Sequence, residues 1–148
     1  SMSRYGVSSN QVNLEITESA ASYDQSVMSE NLEQLSAAGI TFSLDDYGTG
    51  YSNMYRIAAL PLKIVKLDKT FVNNQNSKMW TILQNTVRMI KDLNMEIVVE
   101  GIETEEMVKK FSDLKCDFIQ GYFFSKPIPQ REFVEFIDRW NNRQKVNA

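Results

Sequence analysis

The sequence predicts an α/β protein built on a parallel sheet. Short runs rich in Val, Ile, Leu and Phe recur five times, and each is followed by a segment whose apolar residues fall at helical spacing. At the C-terminal end of each run stands a charged or amide side chain: Glu15, Asp45 with Asp46, Lys66 with Asp68, Glu100, and Gln120. That edge is where parallel α/β folds assemble ligand sites from several strands at once.

VNLEIT (12–17) reads as the first strand, followed by a helix over 23–38 with Val27, Leu32 and Leu35 on one face and Gly39 as its stop. ITFSLDD (40–46) is the second strand; a shorter helix near 51–59 ends before Pro61. LKIVKLD (62–68) is the third strand. The long helix over 77–93 carries Met79, Ile82, Leu83, Thr86, Val87, Ile90 and Leu93 at helical spacing. MEIVVEG (95–101) is the fourth strand, after which Thr104 caps a helix with Glu105 and Glu106 in its first turn. CDFIQGYF (116–123) is the fifth strand, and Pro129 opens a last helix striped by Phe133, Phe136, Ile137 and Trp140.

Composition narrows the function. The 148 residues are 43% hydrophobic and 24% charged with a net charge of −3, enough for one core and without a basic face for a nucleic-acid polymer. A single cysteine, Cys116, allows no internal disulfide, and no apolar run reaches the roughly 20 residues of a membrane span. Both points lead us to expect a cytoplasmic domain. The opening residues 1–3 read as a cloning scar or leader ahead of a domain over 4–148. There is no histidine, which excludes His-based acid/base catalysis, Ser/His and Cys/His nucleophile pairs and imidazole-bound zinc. Any metal must be held by oxygen, which favours hard cations such as Mg2+ or Mn2+.

The adjacent carboxylates Asp45 and Asp46 close the second strand, before a loop containing Gly48 and Gly50. Neighbours on a strand point to opposite faces, so the two converge only where the strand ends and the loop turns the second one back. Like charges brought together raise one another's pKa unless a cation sits between them. A divalent ion clamped by this pair, with Glu15 arriving from the neighbouring strand, removes the conflict. Taken singly, each residue has a plainer role. Asp-Tyr-Gly-Thr-Gly suits a turn, Glu15 a cap, Lys66 a surface lysine, and Gln120 a backbone hydrogen bond. Their shared position at one edge of the sheet favours the joint reading.

The motifs LEITES (14–19), DDYGTGYSN (45–53), KLDKTF (66–71), VVEGIET (98–104) and QGYFFSKP (120–127) resemble, in order and spacing, those of EAL domains, the bacterial phosphodiesterases of cyclic di-GMP. The resemblance implies a partial TIM-type (β/α) barrel of about five parallel strands, incomplete relative to the eight-stranded family fold. It implies metal ligation by Glu15, Asp45, Asp46 and Glu100, and catalytic roles for four residues. Lys66 would hold the attacking water, Glu100 complete the metal and water site, Glu103 steady the loop over it, and Gln120 hydrogen-bond within it. Glu18 and Asp68 match positions with supporting roles. Tyr47 stands where the family usually has Phe. Two Mg2+ or Mn2+ ions, roughly 3.5–4 Å apart as in two-metal sites, would drive hydrolysis of cyclic di-GMP to linear pGpG.

No Glu-Ala-Leu segment occurs in the chain. The expectation is therefore the C-terminal part of an EAL domain with an incomplete metal shell, weak or inactive alone and self-associating through exposed barrel edges. Two other readings stay open: a module that senses cyclic di-GMP without cleaving it, and a protein-interaction piece.

Overall fold

A computed structural model describes residues 2–21, 25–49, 54–73 and 76–146. Two 3-10 turns, Met2–Tyr5 and Ser9–Gln11, precede a single five-stranded sheet in the order β1-β2-β3-β4-β5. The strands are β1 (Asn13–Thr17), β2 (Thr41–Tyr47), β3 (Ile64–Leu67), β4 (Glu96–Val99) and β5 (Phe118–Ile119), and every neighbouring pair is parallel. The helices are α1 (Glu18–Ala21), α2 (Gln25–Ala37), α3 (Met54–Ala59), α4 (Lys69–Asn73), α5 (Ser77–Asp92), α6 (Glu105–Asp113) and α7 (Gln130–Val146).

Strand alternation divides the sheet into two unlike faces. Phe42, Leu44, Val65, Leu67, Ile97 and Val99 face the helices and are all but fully buried, forming one core with Leu83, Val87 and Ile90 of α5 and Phe111 of α6. Burying one such side chain contributes about 1.5–3 kcal/mol, so this layer carries most of the fold's stability. On the opposite face the register sets Asn13 beside Thr41, Glu15 beside Ser43, Thr17 beside Asp45, and Lys66 beside Val98. That face is polar toward β1 and exposes Phe118 at the β5 edge.

Helix ends follow local chemistry. Asn76 caps α5 by accepting from the Lys78 N–H at 2.9 Å, and Thr104 caps α6 by accepting from the Met107 N–H at 3.3 Å. Gly39, at φ +94°, ends the stretch after α2 in a conformation that disfavours other residues.

Several expectations need adjustment. The segment expected as a helix over 23–38 begins in the structure as α1 at Glu18 and resumes as α2; residues 22–24 lie outside the described residues. The start of the helix expected near 51–59 and Gly50 also lie outside them. α4 was hidden in KLDKTF because a helix of five residues is too short to show periodicity. The expected fifth strand over 116–123 shrinks to two residues, since the chain turns at Gly121 and the Phe124 N–H bonds back to the Gly121 carbonyl. Ile82 and Leu93 of the long helix are exposed, because the buried stripe runs through Leu83, Thr86, Val87 and Ile90. Among the described residues no helix is long and apolar enough to cross a membrane.

The short β5 is held in register by Asp117. Its Oδ2 accepts from the Ile97 N–H at 2.7 Å and its Oδ1 pairs with Lys91 of α5. Partial burial alone would raise its pKa, but the Lys91 hydrogen bond, the Ile97 N–H and the Lys91 charge outweigh it and hold the carboxyl below its ordinary value. A depressed folded-state pKa means stability present above the unfolded value, near pH 4, and lost as pH falls through the folded value. Asp117→Asn is therefore expected to lower the melting temperature by roughly 2–4 °C at pH 7. In melts at pH 3 the gap to the wild type should narrow, and a gap that widens on acidification would refute the assignment.

Candidate active site

The site is built on the polar sheet face, near the C-terminal ends of the strands. Glu15 is the middle residue of β1, Asp45 lies in β2, Lys66 in β3, and Glu100 directly follows β4. Alternation and register point all four the same way. The Lys66 ammonium nitrogen lies 2.8 Å from Asp45 Oδ1, 2.9 Å from Glu15 Oε1 and 3.0 Å from Glu100 Oε1. The Lys66 side chain is 11% exposed, against 51% for Glu15. Burial by itself would lower the lysine pKa, but the carboxylates of Asp45, Glu15 and Glu100 override it and raise the pKa well above the usual lysine range. Lys66 is therefore an ammonium at any physiological pH.

The Asp45–Asp46 pair departs from the expectation that the strand ends there. β2 runs on through Tyr47, and the turn is made inside it. Leu44 pairs with Val65 and Tyr47 with Leu67, so β2 uses one residue more than β3 across this stretch. Asp46 absorbs the extra residue at φ +57°, a left-handed conformation that Asp tolerates better than most residues. Without the bulge, alternation would send Asp46 into the helix layer beside Leu44. With it, Tyr47 takes that buried place and stacks on Phe71 at 6.0 Å between ring centres, while Asp46 stays partly exposed. Burial, with the nearby negative charge of Glu18, raises the Tyr47 pKa, so its hydroxyl stays protonated.

The loop after the bulge is fastened by a contact the sequence reading did not assign. Glu18, buried at the start of α1, accepts from the Gly48 N–H through Oε2 at 2.9 Å. Gly48 itself can only be glycine: its φ is +104°, and a Cβ there would meet the Phe71 ring at 1.6 Å. The signal available in sequence was a carboxylate in the step from a strand to a helix, where burial forces it to find a donor. Glu103, expected to steady the loop, is exposed.

Glu103 and Gln120 border a cleft of about 340 Å3 that opens beside Glu100, with Asp68 and Tyr122 also in its wall. Asp68 accepts from the Thr70 N–H at 2.9 Å and so starts α4. Gln120 is fixed through its backbone, donating to Val99 at 2.8 Å and accepting from the Ile102 N–H at 3.1 Å, which leaves its amide side chain exposed to the cleft. A larger apolar hollow of about 650 Å3 lies on the other side of Gln120, walled by Phe118, Phe124, Phe133 and Phe136. The structure thus brings Glu15, Asp45, Lys66 and Glu100 into contact, places Gln120 and Glu103 one step away, and leaves Asp46 outside the lysine's ion pairs.

The donor set suits a hard divalent cation. All donors are oxygen, and three carboxylates against one ammonium leave two negative charges. Asp45 Oδ1 is buried and lies at ion-pair distance from Lys66 without the alignment of a hydrogen bond, an acceptor with spare capacity. Among the described residues no three acidic or cysteine side chains form a group that could hold a metal as they stand, because the oxygens are turned to the lysine.

A family model described as the EAL domain matches residues 1–127. The cyclic di-GMP phosphodiesterase NbdA of Pseudomonas aeruginosa is 34% identical over 126 residues, 84% of this chain and 16% of that protein. The oxygen sensor protein DosP of Escherichia coli is 34% identical over 133 residues, 88% of this chain and 17% of that protein. A solved structure of the PaMucR phosphodiesterase in complex with c-di-GMP superimposes with a TM-score of 0.84 at 35% identity, covering 89% of this chain and 54% of that one. The Klebsiella pneumoniae BlrP1 complex with manganese and cyclic di-GMP gives a TM-score of 0.79 at 27% identity, covering 85% and 33%. The chain spans about a fifth or less of the length of these two curated relatives.

Proposed function

The chain belongs to the EAL domain family, and from that premise we propose that it is the part of a cyclic di-GMP phosphodiesterase that carries the catalytic lysine and much of a divalent-metal site. One observation carries the proposal. Carboxylates from three separate segments, Glu15, Asp45 and Glu100, converge within 3.0 Å of a single, largely covered ammonium on the face of the sheet. A structural ion pair needs one carboxylate for one lysine; an excess of two negative charges calls for a further cation.

Glu15, Asp45 and Glu100 would hold Mg2+ or Mn2+, with Asp46 adjacent through the bulge. A divalent ion held there polarises a phosphodiester and makes a bound water more acidic. Lys66 supplies a positive charge and N–H donors to a water or phosphate oxygen. Gln120 and Glu103 border the cleft beside Glu100, where the amide can orient a phosphate or sugar group. Glu18 keeps the loop after Asp46 in place through Gly48. The hydrolysis opens one diester of the cyclic dinucleotide by addition of water and yields linear pGpG. The open strands β1 and β5, with Leu14 and Phe118 exposed, support self-association through these edges. A lone, free cysteine fits a cytoplasmic setting.

The test is chromatography of cyclic di-GMP after incubation with Mg2+ or Mn2+. One reaction uses this chain, and the other a longer protein that joins it to a Glu-Ala-Leu segment. The longer protein is expected to form pGpG only with metal, and the chain alone to be at least about 100-fold slower. A non-catalytic module that senses the nucleotide is the alternative outcome. Nucleotide binding without any product from the longer protein would decide for it.

A further inference from the structure

Carboxylates drawn from separate strands to within 3.0 Å of one point repel each other unless a cation sits among them. Here that cation is Lys66. Its side chain rises from β3 at the centre of the cluster, between β2, which carries Asp45, and β4, which Glu100 follows. It reaches across to Glu15 on β1 as well. The ammonium meets all three carboxylates at once while only 11% of the side chain is exposed. The three carboxylate oxygens lie within 3.0 Å of the nitrogen, and no three acidic groups stand as a metal-holding group among the described residues.

We infer that Lys66 is the stand-in cation of the metal-free site: its ammonium keeps Glu15, Asp45 and Glu100 assembled without a divalent ion and gives up its place among them when one enters. The inference rests on the reading of these carboxylates as metal ligands, and it assigns the lysine a task before any nucleotide arrives. The site is thereby preassembled in the absence of metal, and metal entry becomes an exchange of one cation for another. The exchange weakens the apparent metal affinity.

The test compares the full 148-residue chain with its Lys66→Met variant in EDTA and in MnCl2, by thermal melting and by calorimetric titration with Mn2+. In EDTA the variant is expected to melt roughly 10 °C below the wild type, because three carboxylates face one another uncompensated. Mn2+ should close most of that gap, and the variant should bind Mn2+ about tenfold more tightly than the wild type, having no ammonium to displace. Adding Glu15→Gln to Lys66→Met removes one repelling charge and should recover part of the loss in EDTA. Equal melting in EDTA together with equal Mn2+ affinity overturns the inference and leaves the metal reading standing. No Mn2+ uptake by either protein overturns both. A variant that melts low regardless of Mn2+ and of Glu15→Gln also overturns it, since the lysine would then act through packing.

Discussion

Replacing Gly121 by alanine is expected to lower the melting temperature by about 10 °C, the equivalent of about 3 kcal/mol in a domain of this size. A Cβ at Gly121 would stand 2.0 Å from the Ile102 carbonyl oxygen, 2.4 Å from its nitrogen and 2.6 Å from its carbonyl carbon. These are backbone atoms, so no side-chain rotation can make room. Ile102 is fully buried, and its two backbone bonds, from its N–H to Gln120 and from the Phe123 N–H to its carbonyl, tie the segment after β4 to the one after β5. The methyl group would push these segments apart and carry Gln120 away from Glu100. Thermal denaturation of the variant measures the loss; a melting temperature within 2 °C of the wild type would show that the approach is not tight.

Asp45→Asn should have the opposite profile, a small effect on stability and a large one on turnover. The substitution keeps the shape of the side chain and leaves Lys66 its partners Glu15 and Glu100, so the melting temperature in EDTA should change little. It removes a carboxylate of the cluster whose oxygen is buried, and it halves the uncompensated charge of the cluster. In a protein that joins this chain to the Glu-Ala-Leu segment, the rate of pGpG formation at saturating Mn2+ is expected to fall about 100- to 1,000-fold. A variant that retains a third or more of the wild-type rate would remove Asp45 from the metal site.

The two variants separate what was readable in the chain from what was not. Gly121 fell within the run expected as the fifth strand, and nothing local indicated that the backbone of Ile102 lies against it. Asp45 was singled out as half of a carboxylate pair, and its contact with Lys66 follows from strand alternation once the strands are in register. Its neighbour shows the limit of that argument. Sequence alternation allowed Asp46 to join Asp45 only at a strand end, whereas the structure continues the strand and inserts a bulge. A left-handed Asp inside a run of apolar residues leaves no periodic trace, because the pattern registers side-chain character and not the sign of φ.

The order of the strands and of the longer helices, the apolar layer against α5 and the all-oxygen chemistry were written in local pattern and composition, and the family was legible in the resemblance of five ordered motifs. They depend on periodicity and on the types of residue present, which neighbours along the chain determine. The tertiary structure alone decided three further things: that Lys66 sits at the meeting point of three carboxylates, that Glu18 holds Gly48, and that β5 is cut to two residues. Each depends on register between strands distant in sequence and on desolvation within the packed layer, and a charged side chain chooses its partner only when burial leaves it no water to choose instead.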